Sequence, residues 1–191
     1  MEQAQPKPFL TPEEYLEIER EAETRSEYLD GEMFAMSGGS REHNLIGTNL
    51  VRELSLQLKR RPCEVYSNDQ RVRVPETGLY TYPDIVVVCG DPLFEDEAVD
   101  TLLNPLLIVE VLSPTTEAYD RGKKFEGYRT IPTLTEYVLV SQHKPQVEQY
   151  LRQDSQHWQF TATSGRERSV SLASIQCELA LAEIYDKVAL G

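Results

Sequence analysis

The sequence predicts an α/β protein with a central mixed sheet flanked by helices, and three observations carry that expectation. The run Leu106-Leu107-Ile108-Val109-Glu110-Val111-Leu112, between Pro105 and Ser113-Pro114, is apolar except for one carboxylate and reads as a central strand covered on both faces. Ile85-Val86-Val87-Val88 is a second, β-branched strand of the same kind. Leu45, Ile46, Leu50, Val51, Leu54 and Leu58 recur at helical spacing, which gives a long helix an apolar face to lay on such a sheet.

The elements follow in order. Thr11-Pro12-Glu13-Glu14 starts a helix with a threonine cap, a proline at the first helical position and a glutamate three residues after the cap; it runs to about Ala22. Glu27 to Met36 alternates around Asp30-Gly31, a hairpin signal, and Ser37-Gly38-Gly39 breaks the pattern. Ser40 caps the long helix, which ends at Lys59-Arg60-Arg61-Pro62 with cations at its C-terminal dipole and a proline stop. Strands are expected near Cys63–Tyr66, Arg71–Val74 and Asp84–Cys89, and the acidic stretch Asp91–Asp100 as an exposed loop. After the Glu110 strand a helix covers about Glu117–Arg129. Tyr137–Val140, Gln146–Arg152 and Trp158–Thr163 follow as strands, the last two a hairpin across Asp154-Ser155, and Leu179–Val188 is expected as a short helix. No repeat or interdomain linker interrupts the chain, so one domain over residues 1–191 is expected, with residues 1–10 flexible.

Composition narrows the classes. The 40% hydrophobic and 27% charged content is that of a folded rather than a disordered chain. Met1–Lys7 lacks the basic-then-apolar order of a signal peptide, and no apolar run approaches the roughly 20 residues of a membrane helix. Cys63, Cys89 and Cys177 are scattered, with no CxxC pair, which points to reduced thiols in a cytoplasmic setting and away from a zinc or iron–sulfur site. A net charge of −13 argues against coating nucleic acid by bulk attraction but leaves room for a local basic patch.

Chemistry concentrates on Glu110. An unpaired ionised carboxylate in an apolar interior is very costly, so a cation, a lysine or a shared proton must compensate it. Asp84, after Pro83, stands at the start of the Ile85 strand; if the two strands are neighbours, Asp84 and Glu110 converge at one edge of the sheet. Carboxylates that close raise each other's pKa unless a cation holds both ionised, and hard oxygen ligands with open water positions suit Mg²⁺ or Mn²⁺. On the following helix Asp120, Lys124 and Tyr128 fall at i, i+4 and i+8, while Phe125 and Tyr128 dock that helix on the sheet. Lys124 then reaches toward Glu110, where an ammonium orients a water and offsets charge in a phosphorane-like transition state.

Pro83-Asp84, the segment Glu110-Val111-Leu112-Ser113-Pro114 and the Asp120/Lys124/Tyr128 spacing together resemble the PD-(D/E)XK nuclease superfamily, and within it the Uma-two family, a restriction-endonuclease-like group. Glu27-Tyr28-Leu29-Asp30-Gly31-Glu32, His43 and Glu136-Tyr137-Val138-Leu139-Val140 match that group's layout, over roughly Thr11 to Arg152. The wider superfamily places its lysine two residues after the acid, where this chain has Leu112; the Uma-two pattern places it on the next helix, where Lys124 stands. Two departures are Val138, where the family usually has tryptophan, and Ser141, which replaces a frequent aspartate.

The resemblance implies a restriction-endonuclease-like core and a metal-dependent endonuclease that hydrolyses phosphodiester bonds of nucleic acid, DNA first, with water as nucleophile. Asp84, Glu110 and the Val111 carbonyl would hold Mg²⁺ or Mn²⁺, Lys124 would position the water, and Glu27, Glu32 and His43 would add outer contacts. A homodimer through the Glu27–Met36 hairpin or the late strands is a further expectation. The rival is a catalytically silent nuclease fold serving as a binding or regulatory module, which the acidity of the chain favours.

Each residue also has a plainer reading. Glu110 could pair with a core arginine, Asp84 could be a turn residue, and Lys123 competes with Lys124 from a different helix face. His43 reads first as a first-turn helix residue, and Glu27 and Glu32 as surface charges beside a turn. Arg52, Lys59, Arg60, Arg61, Arg71 and Arg73 are either a phosphate-tracking patch or solvated charges.

Overall fold

The computed structural model describes residues 9–190, so the expected flexibility of the first eight residues falls outside it. Helix α1 (Pro12–Glu21) starts with the capping box: Thr11 accepts from the Glu14 amide while the Glu14 carboxylate accepts from the Thr11 amide. Strands β1 (Ser26–Leu29) and β2 (Glu32–Ala35) form the expected hairpin. Asp30 and Gly31 turn it with φ of 50° and 82°, the left-handed pair that a two-residue hairpin turn requires. Ser26 and Tyr28 face α1, with the Tyr28 ring stacked on Tyr15 at 4.9 Å. Alternation therefore sends Glu27 to the opposite face.

Helix α2 (Arg41–Leu58) is capped by Ser40, whose side chain accepts from the His43 amide at 3.1 Å. Strands β3 (Cys63–Ser67), β4 (Arg71–Val74), β5 (Leu79–Thr81), β6 (Ile85–Cys89), β7 (Thr101–Leu102), β8 (Leu107–Leu112), β9 (Glu136–Ser141), β10 (Gln146–Arg152) and β11 (Trp158–Ser164) complete two sheets. The larger runs β11-β10-β9-β8-β6-β3, with β8 and β9 parallel and its other pairs antiparallel. The smaller runs β2-β1-β5-β4-β7.

Residues of β8 split between two cores by alternation. Leu107, Val109 and Val111 pack with Ile46, Leu50, Leu54 and Leu58 of α2. Ile108 and Leu112 pack instead with Val72 and Val74 of the second sheet and with Tyr128. Glu110 shares the parity of this second set, so its carboxylate is directed away from α2.

Several expectations need correction. Cys63 and Cys89 are register partners on β3 and β6 and form a disulfide, which overturns the reduced-thiol reading; only antiparallel pairing brings them together, across 26 positions. The helix after β8 is not one uniform helix: α3 (Glu117–Tyr119) passes through a π turn (Asp120–Lys124) into α4 (Phe125–Tyr128). Near the C-terminus, β12 (Ser169–Leu172) and β13 (Cys177–Ala180) form a two-stranded ribbon before the short α5 (Leu181–Ile184), so the expected helix from Leu179 is mostly strand and turn. Asp91–Asp100 is not simply a solvated loop, since Glu95, Asp96 and Asp100 pair with Arg73 and Arg20.

Candidate active site

The antiparallel register of β6 and β8 aligns Ile85 with Val109, and one step further aligns Asp84 with Glu110. The two segments are stitched at that step. The Val111 amide donates to Asp84 Oδ2 at 2.7 Å, and the Asp84 amide approaches Glu110 Oε2 at 3.4 Å. Glu110 is only 4% exposed, and the partners it finds are not arginines. Lys124 Nζ lies 3.1 Å and the Tyr128 hydroxyl 3.0 Å from its Oε1. Phe125 lies on the sheet beside Tyr137, the ring centroids 5.6 Å apart, and Tyr128 packs against the same ring, which fixes the helix that carries Lys124. Lys123 is exposed, so the choice between the two lysines falls to Lys124.

Lys124 gathers acids from three elements. Its Nζ lies 3.1 Å from Glu27 Oε1 on β1, 3.1 Å from Glu110 Oε1 on β8 and 3.5 Å from Asp120 Oδ1 in the π turn. π turns recur at functional sites because the widened turn re-aims side chains, and here Asp120 and Lys124 are both buried within it. Asp120 Oδ1 is buried and has no hydrogen-bond partner. His43, in the first turn of α2, places Nε2 3.2 Å from Asp84 Oδ2. These residues line a cleft of about 570 Å³.

Charge is unevenly matched there: Glu27, Glu110 and Asp120 surround one ammonium, and Asp84 beside them has only the His43 imidazole. Burial pushes the Glu110 carboxyl well above the usual range, and Asp120, Asp84 and Glu27 add to the rise while Lys124 opposes it. Asp120 is raised by burial in the same way. Burial would depress the Lys124 ammonium, but Glu110, Glu27 and Asp120 outweigh it and hold the group charged. His43 is raised, chiefly by its hydrogen bond to Asp84.

The structure therefore brings Asp84, Glu110, Val111 and Lys124 together. It corrects the surface-charge reading of Glu27, which is paired with Lys124, and it keeps His43 in the first turn of α2 while bringing its ring to Asp84. Their place in the site depends on the second sheet and on how α2 lies across β6, and no local pattern reports either. Of the basic-patch candidates, Lys59 and Arg60 are exposed, while the other four are engaged within the chain. Arg71 is buried against Asp100 and Tyr82, Arg73 pairs with Glu95, Arg52 with Glu53, and Arg61 donates to the Ile175 carbonyl at 2.5 Å.

The same architecture occurs in a solved structure from Anabaena variabilis, described as "a putative nuclease belonging to DUF820". It superimposes with a TM-score of 0.76 over 94% of this chain and 99% of that one, at 19% identity, a likeness of fold. The Uma2 family, described as "Putative restriction endonuclease", matches residues 12–183, and the chain belongs to that family. Two Synechocystis proteins are close in sequence. The uncharacterized protein sll1609 is 37% identical over 165 residues, covering 86% of this chain and 93% of that one. The uncharacterized protein slr1290 is 38% identical over 180 residues, covering 94% and 93%.

Proposed function

We propose that this chain is a divalent-cation-dependent endonuclease that hydrolyses phosphodiester bonds of DNA with water as the nucleophile. The observation that carries the proposal is Lys124, 6% exposed and ringed by acids at the floor of an open cleft, beside the aligned pair Asp84 and Glu110. Family membership supports the reaction class.

Among the described residues, no three His, Cys, Asp or Glu side chains form a ready-made metal cage. Mg²⁺ does not need one, because it keeps several waters and takes one or two protein carboxylates. Two carboxylates and a backbone oxygen suit it chemically, and the surplus of negative charge at the site is what a dication would offset. Asp84, Glu110 and the Val111 carbonyl would hold Mg²⁺ or Mn²⁺. When bound, the ion supplies Lewis acidity and charge neutralisation at the phosphate.

The chain's own groups supply the rest. Lys124 and Tyr128 both engage Glu110 Oε1 and hold that carboxylate in one orientation. The Val111 amide and His43 do the same for Asp84 through Oδ2. Glu27 also holds the Lys124 ammonium, 3.1 Å away, so that group is fixed beside the cleft before substrate arrives. From there Lys124 orients the attacking water and offsets charge that develops on the phosphoryl oxygens.

The test is cleavage of supercoiled plasmid and of oligonucleotides with Mg²⁺ or Mn²⁺. Asp84→Ala and Lys124→Ala are each expected to lower the rate on the order of 10²-fold or more. Rates indifferent to both substitutions contradict the assignment. The net charge of −13 favours a second reading, a nuclease fold kept as a non-catalytic module. Cleavage by the wild type excludes it.

A further inference from the structure

We infer that the cleft receives an unpaired stretch of nucleic acid, with a base stacked on Phe34 and the adjoining phosphate held by Arg25. This rests on the nuclease reading and specifies its substrate as single-stranded or locally unpaired.

The placement follows from the β1–β2 register. Glu27 is paired with Phe34, and the Met36 amide donates to the Arg25 carbonyl at 2.9 Å, which continues the pairing one step beyond the ladder. Partners directly opposite in an antiparallel pair project to the same face, as do residues two apart on one strand. Arg25, Glu27, Phe34 and Met36 therefore share one face, and all four line the cleft. Glu27 anchors that face to the catalytic floor through Lys124.

Three further observations select the ligand. Phe34 is 49% exposed and Met36 36%, large apolar groups held in water at the rim of an acid-floored cleft. No ring contact among the described residues engages Phe34, and half of its surface is accessible to a flat partner. Arg25 lies with its guanidinium carbon 5.5 Å from the centre of the Tyr82 ring, two residues before Asp84, and its only ion pair among the described residues is a long 3.6 Å contact to the exposed Asp69. That guanidinium is free to take a phosphate. Arg20, Arg52, Arg71, Arg73 and Arg121 are instead engaged with carboxylates of the chain.

Charge then decides between duplex and single strand. Duplex binding draws mainly on cations that neutralise phosphates, and a chain of net charge −13 in which Arg20, Arg52, Arg71, Arg73 and Arg121 are already paired has few to offer. Base stacking on an aromatic side chain is the alternative source of affinity, and it needs a base whose face is not already covered by its neighbours in a duplex.

The test is binding rather than cleavage, so that it stands apart from the nuclease reading. Anisotropy of a labelled 15-mer, as DNA and as RNA, is measured single-stranded and as the duplex, in EDTA and in Ca²⁺. The inference predicts that the single strand binds more tightly than the duplex. Phe34→Ala should weaken single-strand binding on the order of tenfold, and Arg25→Ala should also weaken it, with the melting temperature unchanged. Phe34→Trp in a Trp158→Phe background, where the new indole is the only one, should retain binding and be quenched by the strand. Lys124→Ala, which removes cleavage, should still bind. Preference for the duplex, single-strand affinity within about twofold in Phe34→Ala, an unquenched Phe34→Trp indole, or no binding in either buffer would each overturn the inference. A wild type that binds in this pattern without cleaving sinks the nuclease reading alone.

Discussion

Two regions of this protein bury charge, and they do so in opposite ways. Beneath α1, Arg71 is 3% exposed and finds Asp100 at 2.7 Å, the Tyr82 hydroxyl at 2.9 Å and the Thr101 hydroxyl at 2.8 Å. Glu19, fully buried nearby, accepts from the Ser26 amide and from Tyr82. Arg20 and Arg73 complete that region against Asp96, Asp100 and Glu95. Three cations thus answer four acids, although Glu19 Oε2, Arg73 Nε and Glu95 Oε2 are buried without a hydrogen bond. In the cleft, one ammonium answers Glu27, Glu110 and Asp120, while Asp84 has only the His43 imidazole, and Asp120 Oδ1 has no hydrogen bond. Burial of charge alone therefore does not mark a functional site. Unbalanced charge beside an open cavity is what sets the cleft apart, because the imbalance is a cost that folding alone gives no reason to keep.

The contrast can be broken by substitution. Arg71→Leu leaves Asp100 without its buried partner and should destabilise the protein by roughly 3 kcal/mol in urea unfolding; a change under about 0.5 kcal/mol would mean that the first region is not held by matched charge. In the cleft the sign should reverse. Without divalent ions, Asp120→Asn removes one crowded acid while Glu27 and Glu110 still hold Lys124, so stability should rise by about 1 kcal/mol, seen as a higher melting temperature. A marked fall would show that the acids are mutually satisfied.

The smallest effect is on pH. Burial alone would raise the Asp100 carboxyl, but Arg20 and Arg71 outweigh it and hold it well below the usual carboxylate range. A depressed folded-state pKa contributes stability above the unfolded value, near 4, and that contribution fades as pH falls through it toward the folded value. The melting temperature of Arg20→Ala should therefore lie below that of wild type at pH 6, with the gap closing below about pH 4. The pair is partly solvent-exposed, so the gap should correspond to about 1 kcal/mol or less. A gap that stays constant with pH would show that the Asp100 carboxylate does not carry the effect of Arg20.

How far the sequence exposed these regions depends on the range of the interactions that build them. Thr11-Pro12, Asp30-Gly31 and Ser40 mark turns and caps through contacts within a few residues, and each formed where expected. Glu110 declared itself because an acid inside a β-branched run conflicts with its surroundings, and Asp84 and Lys124 followed from spacing and family resemblance. Strand β5, with three residues, and β7, with two, exist only because partners distant in sequence pair with them. The second sheet stayed hidden with them, and so did Glu27's approach to Lys124. Ser169–Leu172 and Cys177–Ala180 do alternate in burial, but as polar four-residue pieces they fall below what periodicity can distinguish. The Cys63–Cys89 pairing is likewise a property of register alone.

If the acid surplus around Lys124 serves to receive a divalent cation, calorimetric titration of Mn²⁺ into the metal-free protein will show it. Wild type should take up the ion at a saturable site, and Glu110→Gln, which keeps the acceptor for Lys124 and Tyr128 but loses the charge, should take up none there. Identical uptake by both proteins, or no uptake by the wild type, would contradict that role.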